Sequence, residues 1–409
     1  QAYKYAKHAA QYGVDIEGET RANLEAMVAR SRGVAGNMSK GISFLFKKNG
    51  IELIEGYAKL TADKKIEVAK ADGSTELVEA ENIIVATGAQ ARALPNIPID
   101  GKKVIGYREA MTLEKQPKTM LVLGSGAIGS EFASFYQSIG TQVTLVEYLP
   151  NIVPLEDEEA SKNLERSFKK AKMKVMTNAA VQSVDIAGEK CIVQIETKKG
   201  IQELEVDIVL SAVGVQTNVE GIGLDVAGVN VEKGKVIVDD YYKTNVDGVY
   251  AIGDIVHGPA LAHVASREGI ICVEKIAGHD VEPMDYNNIP GCTYTSPEVS
   301  SVGMTEKQAI DAGHEVRVGK FPFRASGKAT AAGAMDGLVK VVFDKKTDLW
   351  LGCSMVGDNV TEMIAEVVVA RKLGAKGMDI ITSVHPHPTM SEAVMEAVAD
   401  AYDEAIHVM

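Results

Sequence analysis

Residues 120–147 read MLVLGSGAIGSEFASFYQSIGTQVTLVE, and this stretch decides the fold. Met120–Leu123 is a short apolar run suited to a buried parallel strand. Gly124, Gly126 and Gly129 follow in G-x-G-x-x-G spacing, and then Ile128, Phe132, Phe135, Tyr136 and Ile139 recur near helical period. Gly140 ends the helix, and Val143–Val146 is a second apolar strand closed by Glu147. Gly124 permits the tight strand-to-helix turn, Gly126 lets a pyrophosphate approach the backbone, and Gly129 lets helix and strand pack closely. The phosphates meet the free N–H groups at the helix N-terminus. Glu147 is placed to accept hydrogen bonds from an adenosine ribose. A carboxylate there repels a 2′-phosphate, and the residues after it (Tyr148, Leu149, Pro150) include no arginine, so NAD is expected over NADP.

At 409 residues the chain has room for two or three domains. The net charge of −13 argues against a general affinity for nucleic acid or anionic membrane surfaces. No apolar run is long enough for a spanning helix, and the first residues, QAYKYAKHAAQYG, have no apolar signal core. Cys191, Cys272, Cys292 and Cys353 lie far apart in sequence, with no metal-binding or redox spacing. They read as buried small apolar side chains in a reducing compartment, and no metal site is expected.

Outward from the glycine turn, residues 1–12, 19–31 and 34–47 carry helical patterns, and 51–54, 57–60, 65–68 and 76–78 are strand candidates. Asn82–Ala86 reads as a buried strand running into Thr87-Gly88, a usual place for backbone to touch a ligand. Residues 92–117, rich in proline and glycine, read as a connector. Past Glu147 come a charged helix (157–171), a strand (173–177), a meander (181–206), a strand over 207–213 ending at Gly214, and a closing strand (235–238). Val249–Ile252 is another buried strand, and its end places the Asp254 carboxylate where open α/β sheets bind ligands. The helix after it carries His263, read as a polar residue at a helix N-terminus rather than a catalytic one. From about Ile289 the pattern changes to strands at 299–303, 314–320, 338–343 and 349–356, with helices at 305–312, 360–373 and 390–405.

The second chemical signal is VHPHPTMSE, residues 384–392. Two prolines fix the backbone on either side of His387, so its ring is aimed. Thr389-x-x-Glu392 is a capping box that starts a helix. Glu392 is also placed to accept the His387 ring N–H, leaving the other nitrogen as a proton acceptor. His385 reads as structural or as a secondary partner.

These residues resemble the flavin disulfide reductases, the dihydrolipoamide dehydrogenases among them. The markers are ATGA (86–89), GSGAIGSE (124–131), SAVG (211–214), AIGD (251–254), LAH (261–263), YTSPEVSSVG (294–303) and HPHPTMSE (385–392). The resemblance implies an α/β fold with two Rossmann-like domains, the first incomplete, and a C-terminal α+β dimerisation domain. Its bounds would be 1–117 (FAD domain), 118–240 (NAD domain), 241–288 (return to the FAD domain) and 289–409 (dimerisation). It implies His387 as catalytic base with Glu392 as its partner. For NAD the matching positions are Gly124, Ser125, Gly126, Ala127, Ile128, Gly129, Glu131, Glu147, Ala179 through its backbone, and Gly214. For FAD they are Ala58, Thr87, Gly88, Asp254, Leu261, Ala262 and His263. Ala58 stands where the family often has glycine. Glu131 matches an acid that pairs with a lysine beside the flavin, a lysine this sequence does not supply.

The implied reaction is oxidation of protein-bound dihydrolipoyl groups, with FAD as relay and NAD+ as acceptor. The implied partners are a second copy of the chain and the lipoyl domains of 2-oxo acid dehydrogenase complexes or the glycine cleavage system. The expected location is the cytoplasm, or the mitochondrial matrix in a eukaryote. The sequence departs from the family in carrying neither a first, flavin-side G-x-G-x-x-G nor a C-x-x-x-x-C pair. Roughly 60–70 family residues, about a βαβ unit and a helix, are unmatched before Gln1. The alternatives are an NAD-binding, dimerising protein without redox activity, or another flavin disulfide reductase. Glu147 opposes an NADP-linked, glutathione reductase-like enzyme, and the tail AIHVM lacks the cysteine pair of mercuric reductases.

Overall fold

The computed structural model describes residues 2–407, which divide into two compact units. The first comprises residues up to 28, 93–214 and 287 onward; the second comprises 29–92 and 215–286.

The first unit is built on a five-stranded parallel sheet. Its strands are ordered Val104–Ile105, Ile208–Ser211, Thr119–Leu123, Gln142–Val146 and Lys174–Met176. Both faces are covered, so its strands are continuous apolar runs: Met120, Leu121, Val122, Leu145, Val146, Val209 and Leu210 are all fully buried. The edge strand 104–105 lies inside the stretch expected to be only a connector. An antiparallel meander (180–187, 190–197, 200–206) follows the sheet, as the sequence led one to expect.

The same unit holds a second sheet, antiparallel, ordered Pro290–Thr293, Glu298–Gly303, Trp350–Gly357, Leu338–Asp344, Val316–Pro322. Helices Val360–Lys372 and Glu392–Ala401 bury their apolar faces against it. The strand 290–293 was not expected; as an edge strand it tolerates Pro290 and Gly291. The last helix stops at Ala401, short of the expected 405, and Asp403 turns to φ +59° just beyond it. One ion cluster joins the two sheets' elements. Lys340, only 5% exposed, places Nζ 2.9–3.0 Å from both oxygens of Asp157 and 2.8 Å from Glu306. Asp157 is the N-cap of the helix Glu158–Lys170.

The second unit contains the parallel pair Ile83–Val85 and Val249–Ala251, the antiparallel meander 57–60, 66–69, 75–78, and helices within Leu24–Lys48 and Ala262–Ile276. Two expectations are corrected here. The two helices expected over 19–31 and 34–47 are one continuous helix from Leu24 to Lys48, because Gly33 and Gly36 lower helix propensity without breaking the hydrogen-bond ladder. Residues 51–54 form no strand, and Ile51 and Leu53 are exposed. Alternating apolar residues make a strand only when a neighbour completes the ladder, and among the described residues none does. The closing strand is shorter than expected: Lys235–Val236 pairs with Val231–Glu232 in a small hairpin of this unit. No helix of the described residues is long and apolar enough to cross a membrane.

Candidate active site

The glycine turn is built as its spacing requires. Gly124 has φ +92°, and a Cβ there would lie 2.5 Å from the Ala212 carbonyl oxygen. A Cβ on Gly129 would lie 1.9 Å from the Gly124 oxygen. A Cβ on Gly126 would meet no described atom within 4 Å, so this glycine borders open space rather than packed protein. The helix behind the turn, Ala127–Ser138, has Gly126 as N-cap, no side-chain cap and no acidic residue in its first turn. Ala127 and Ile128 thus stand in a first turn whose N–H groups lack an intrahelical acceptor and suit an anion. The fit to a dinucleotide pyrophosphate is good on both counts.

Glu147 lies beside this turn and is 7% exposed. Its Oε2 accepts the Ser125 backbone N–H at 2.9 Å and the Ser125 hydroxyl at 2.6 Å, and its Oε1 accepts the Leu149 N–H at 2.9 Å. Ala179, buried, donates its N–H to the Glu147 carbonyl at 3.0 Å, so the two are brought together. Gly214, at φ +104°, follows the strand whose next residue, Ala212, bonds to Leu123 and abuts Gly124. Glu131 is turned elsewhere. Its Oε1 accepts the Tyr294 N–H at 2.8 Å, and burial, only partly offset by that bond, raises its carboxyl.

In the second unit, Thr87 and Gly88 follow the strand 83–85. The Thr87 hydroxyl donates to the Asn218 carbonyl at 2.7 Å, and the Asn218 N–H donates to the Gly88 carbonyl at 2.9 Å. Gly88, at φ +66°, faces Asp254: a Cβ there would lie 4.0 Å from Oδ2. Asp254 sits in a 3-10 turn whose Gly253 N–H donates to the buried Glu268 at 2.6 Å; Lys235 Nζ donates to the Asp254 carbonyl at 2.6 Å. Leu261 is the N-cap of the helix that opens with Ala262 and His263, again without a side-chain cap. Ala58 lies in the antiparallel meander opposite Val68, with its side chain exposed. Together they place a carboxylate, a left-handed glycine and an uncapped helix start in one unit, groups chemically suited to a polyhydroxyl or phosphate-bearing ligand. The sequence carries one G-x-G-x-x-G, at 124–129 in the first unit, and no second motif of that kind.

The histidine turn lies in the first unit. The His387 ring is 78% exposed, and its Nδ1 is 2.8 Å from Glu392 Oε1. Glu392 Oε2 accepts the Thr389 N–H at 2.8 Å. Desolvation opposes ionisation of Glu392, but the Thr389 N–H and the His387 ring outweigh it and hold the carboxyl below its ordinary value. The capping box is only half made. Thr389 Oγ1 donates to the Pro386 carbonyl at 2.7 Å instead of capping, and the helix begins at Glu392 with Ser391 as N-cap. His385 pairs with a different carboxylate: its ring is 8% exposed and Nε2 lies 2.8 Å from Glu366 Oε1, an arrangement that suits the structural alternative.

Sequence reasoning missed Glu366, Asn218 and the Ser125 hydroxyl bond. Glu366 is nineteen residues before His385, on the helix Val360–Lys372, and no local pattern joins them. The described residues contain no group of three or more His, Cys, Asp or Glu side chains able to hold a metal. Cys191, Cys272, Cys292 and Cys353 are free thiols, three of them buried.

Residues 3–269 match the family model described as pyridine nucleotide-disulphide oxidoreductase, and residues 289–398 match that family's dimerisation domain. The chain is 45% identical to a dihydrolipoyl dehydrogenase of Rhizobium etli, over 98% of this chain and 87% of that protein. It is 43% identical to one of Zymomonas mobilis, over 100% of this chain and 88% of that protein. Among solved structures, the crystal structure of LpdA from Mycobacterium tuberculosis superposes with a TM-score of 0.90 at 27% identity, covering 97% of this chain and 86% of that one.

Proposed function

The chain belongs to the pyridine nucleotide-disulphide oxidoreductase family, and from that premise we propose how it acts as an FAD- and NAD-linked oxidoreductase of the dihydrolipoamide dehydrogenase type. The substrate in this reading is a dihydrolipoyl group on a lipoyl domain of a 2-oxo acid dehydrogenase complex or of the glycine cleavage system. The place of action is the cytoplasm, or the mitochondrial matrix in a eukaryote.

The observation that carries the reading is the His387–Glu392 contact, 2.8 Å long, on a ring that is otherwise exposed. Glu392 accepts the Nδ1 proton, which leaves Nε2 with the lone pair. A dithiol titrates above neutral pH, so its oxidation needs a base to take a thiol proton. His387 is that base. Oxidising the dithiol to a disulfide releases two electrons and two protons; NAD+ takes both electrons and one proton as hydride, and the second proton leaves through His387 to solvent. When bound, FAD supplies the electron relay between the two. Asp254, Thr87, Gly88, Ala58, Leu261, Ala262 and His263 would hold it, and Gly124–Gly129 with Glu147, Ala179 and Gly214 would hold NAD; Glu131, bonded to the Tyr294 N–H, is left out of that set. The C-terminal sheet and its helices form the interface of a homodimer, and the exposed His387 ring serves the partner's flavin side.

We further propose that these 409 residues do not complete the reaction by themselves. They carry one dinucleotide motif and no C-x-x-x-x-C pair. The 51–54 stretch, which has no strand partner among the described residues, and the two-stranded parallel pair 83–85/249–251 support a flavin sheet with further strands. The test measures NADH formation from dihydrolipoamide and NAD+. The 409 residues alone should bind NADH but give no steady turnover; the protein that also carries the cysteine pair should turn over, and His387→Gln should abolish most of it. Turnover by the 409 residues alone sinks the second proposal. Undiminished turnover in His387→Gln sinks the first.

A further inference from the structure

We propose that Ser125 is a positioning residue for nucleotide choice: its hydroxyl locks the Glu147 carboxylate in the orientation that accepts one adenosine ribose hydroxyl and refuses a 2′-phosphate. This rests on the NAD cradle reading above. Ser125 is the variable residue between the first two glycines, a position whose side chain the motif leaves open. Here it is fully buried and its polar groups are all engaged. Its carbonyl accepts the Val153 N–H at 3.0 Å and the Ser130 hydroxyl at 2.8 Å, while its own N–H and hydroxyl both go to Glu147 Oε2. Val153 is held at φ +40° to make its bond, a conformation a β-branched residue adopts only where its surroundings impose it.

Counting acceptors shows what the hydroxyl does. A carboxylate offers about four lone-pair sites. Oε2 has both of its sites filled by Ser125, and Oε1 has one filled by Leu149, so a single site on Oε1 is left for a ribose hydroxyl. With both oxygens pinned, the carboxylate cannot swing away from a 2′-phosphate, and Tyr148, Leu149 and Pro150 offer no cation to compensate. Remove the hydroxyl and Oε2 keeps one donor. The carboxylate then gains freedom both to lose the ribose hydroxyl and to yield to a phosphate.

The experiment titrates NADH and NADPH separately into the 409-residue chain and its Ser125→Ala variant, following nucleotide fluorescence, with thermal melts as a folding control. Losing a hydrogen bond to a charged group should weaken NADH binding roughly three- to tenfold. NADPH binding should hold steady or improve, so the ratio of the two dissociation constants contracts. A merely structural hydroxyl would weaken both nucleotides alike, and an unmoved ratio overturns the inference. Ser125→Cys, which keeps the size but donates weakly, should shift the ratio in the same direction, and it decides the matter if the alanine variant fails to fold. If the unmodified chain binds no NADH, the cradle reading falls and takes this inference with it; binding with an unmoved ratio overturns this inference alone.

Discussion

Nδ1 of His387 lies 2.8 Å from Oε1 of Glu392, and the other oxygen of that carboxylate is held by the Thr389 N–H. One carboxylate therefore fixes both the turn and the ring. In a form of the protein that oxidises dihydrolipoamide, His387→Gln should lower that rate by about two to four orders of magnitude, the scale of a lost general base. Glu392→Gln should cost less, roughly ten- to a hundredfold, because the ring remains but its tautomer is no longer fixed. The sign of the pH effect follows from the lowered Glu392 carboxyl. Its support is complete above the ordinary glutamate range and is lost only as pH falls through its lower folded value. Steady-state rates against pH check this: an acid limb that disappears in Glu392→Gln while centred near neutrality would contradict it.

The two glycines of the turn should separate binding from folding. Gly129→Ala drives a Cβ to 1.9 Å from the Gly124 oxygen, and should cost several-fold in NADH affinity together with a clear loss of melting temperature. Gly126 has φ −60° and open space around it, so Gly126→Ala should leave the melting temperature within about 2 °C while weakening NADH binding at least tenfold. Equal effects on melting and binding in the two variants would mean that no pyrophosphate sits over Gly126.

Acid stability should depend on Asp207, at the foot of the parallel sheet. Burial opposes its ionisation, but Lys190 and the Thr119 and Lys118 N–H groups outweigh it and bring its pKa down to about 2. A depressed carboxyl stabilises the fold above its unfolded value, and that stability is lost as pH falls through about 2. Asp207→Asn should therefore destabilise at pH 7 by roughly 1–2 kcal/mol, and the gap should close in strong acid. Denaturant melts at several pH values measure it; a gap that stays constant with pH would assign the loss to packing instead.

The four thiols should be quiet. Burial pushes Cys272 and Cys292 up to about 11 and raises Cys191 and Cys353 as well. Thiolate is the reactive form, so a disulfide reagent at neutral pH should label the native chain slowly and reach all four sites only after unfolding. A fast, stoichiometric thiol in the native chain would reopen the question of a redox cysteine among these residues.

The sequence was most legible where local chemistry decides the conformation. The glycine spacing forced the turn at 124–129, and the proline-braced histidine fixed the 385–392 turn, because sterics within a few residues leave little choice. It was least legible where the answer lay in a distant partner. The strand at 104–105 exists because 208–211 lies beside it. The 51–54 stretch has the pattern of a strand but no described neighbour to pair with. The capping box at Thr389 was half made because the Pro386 carbonyl competed for the hydroxyl. Glu366, which holds His385, could not be found by any spacing rule.

The Lys340 cluster also constrains how this molecule could have been assembled from parts. Asp157 belongs to the nucleotide sheet's helix and Lys340 to the antiparallel sheet, and both are almost wholly enclosed. A chimera that exchanged the C-terminal half for one with an uncharged residue at 340 would strand a carboxylate in the seam, at a cost of roughly 3–5 kcal/mol. The two halves are therefore not interchangeable cassettes; recombination at this joint must carry both charges or neither.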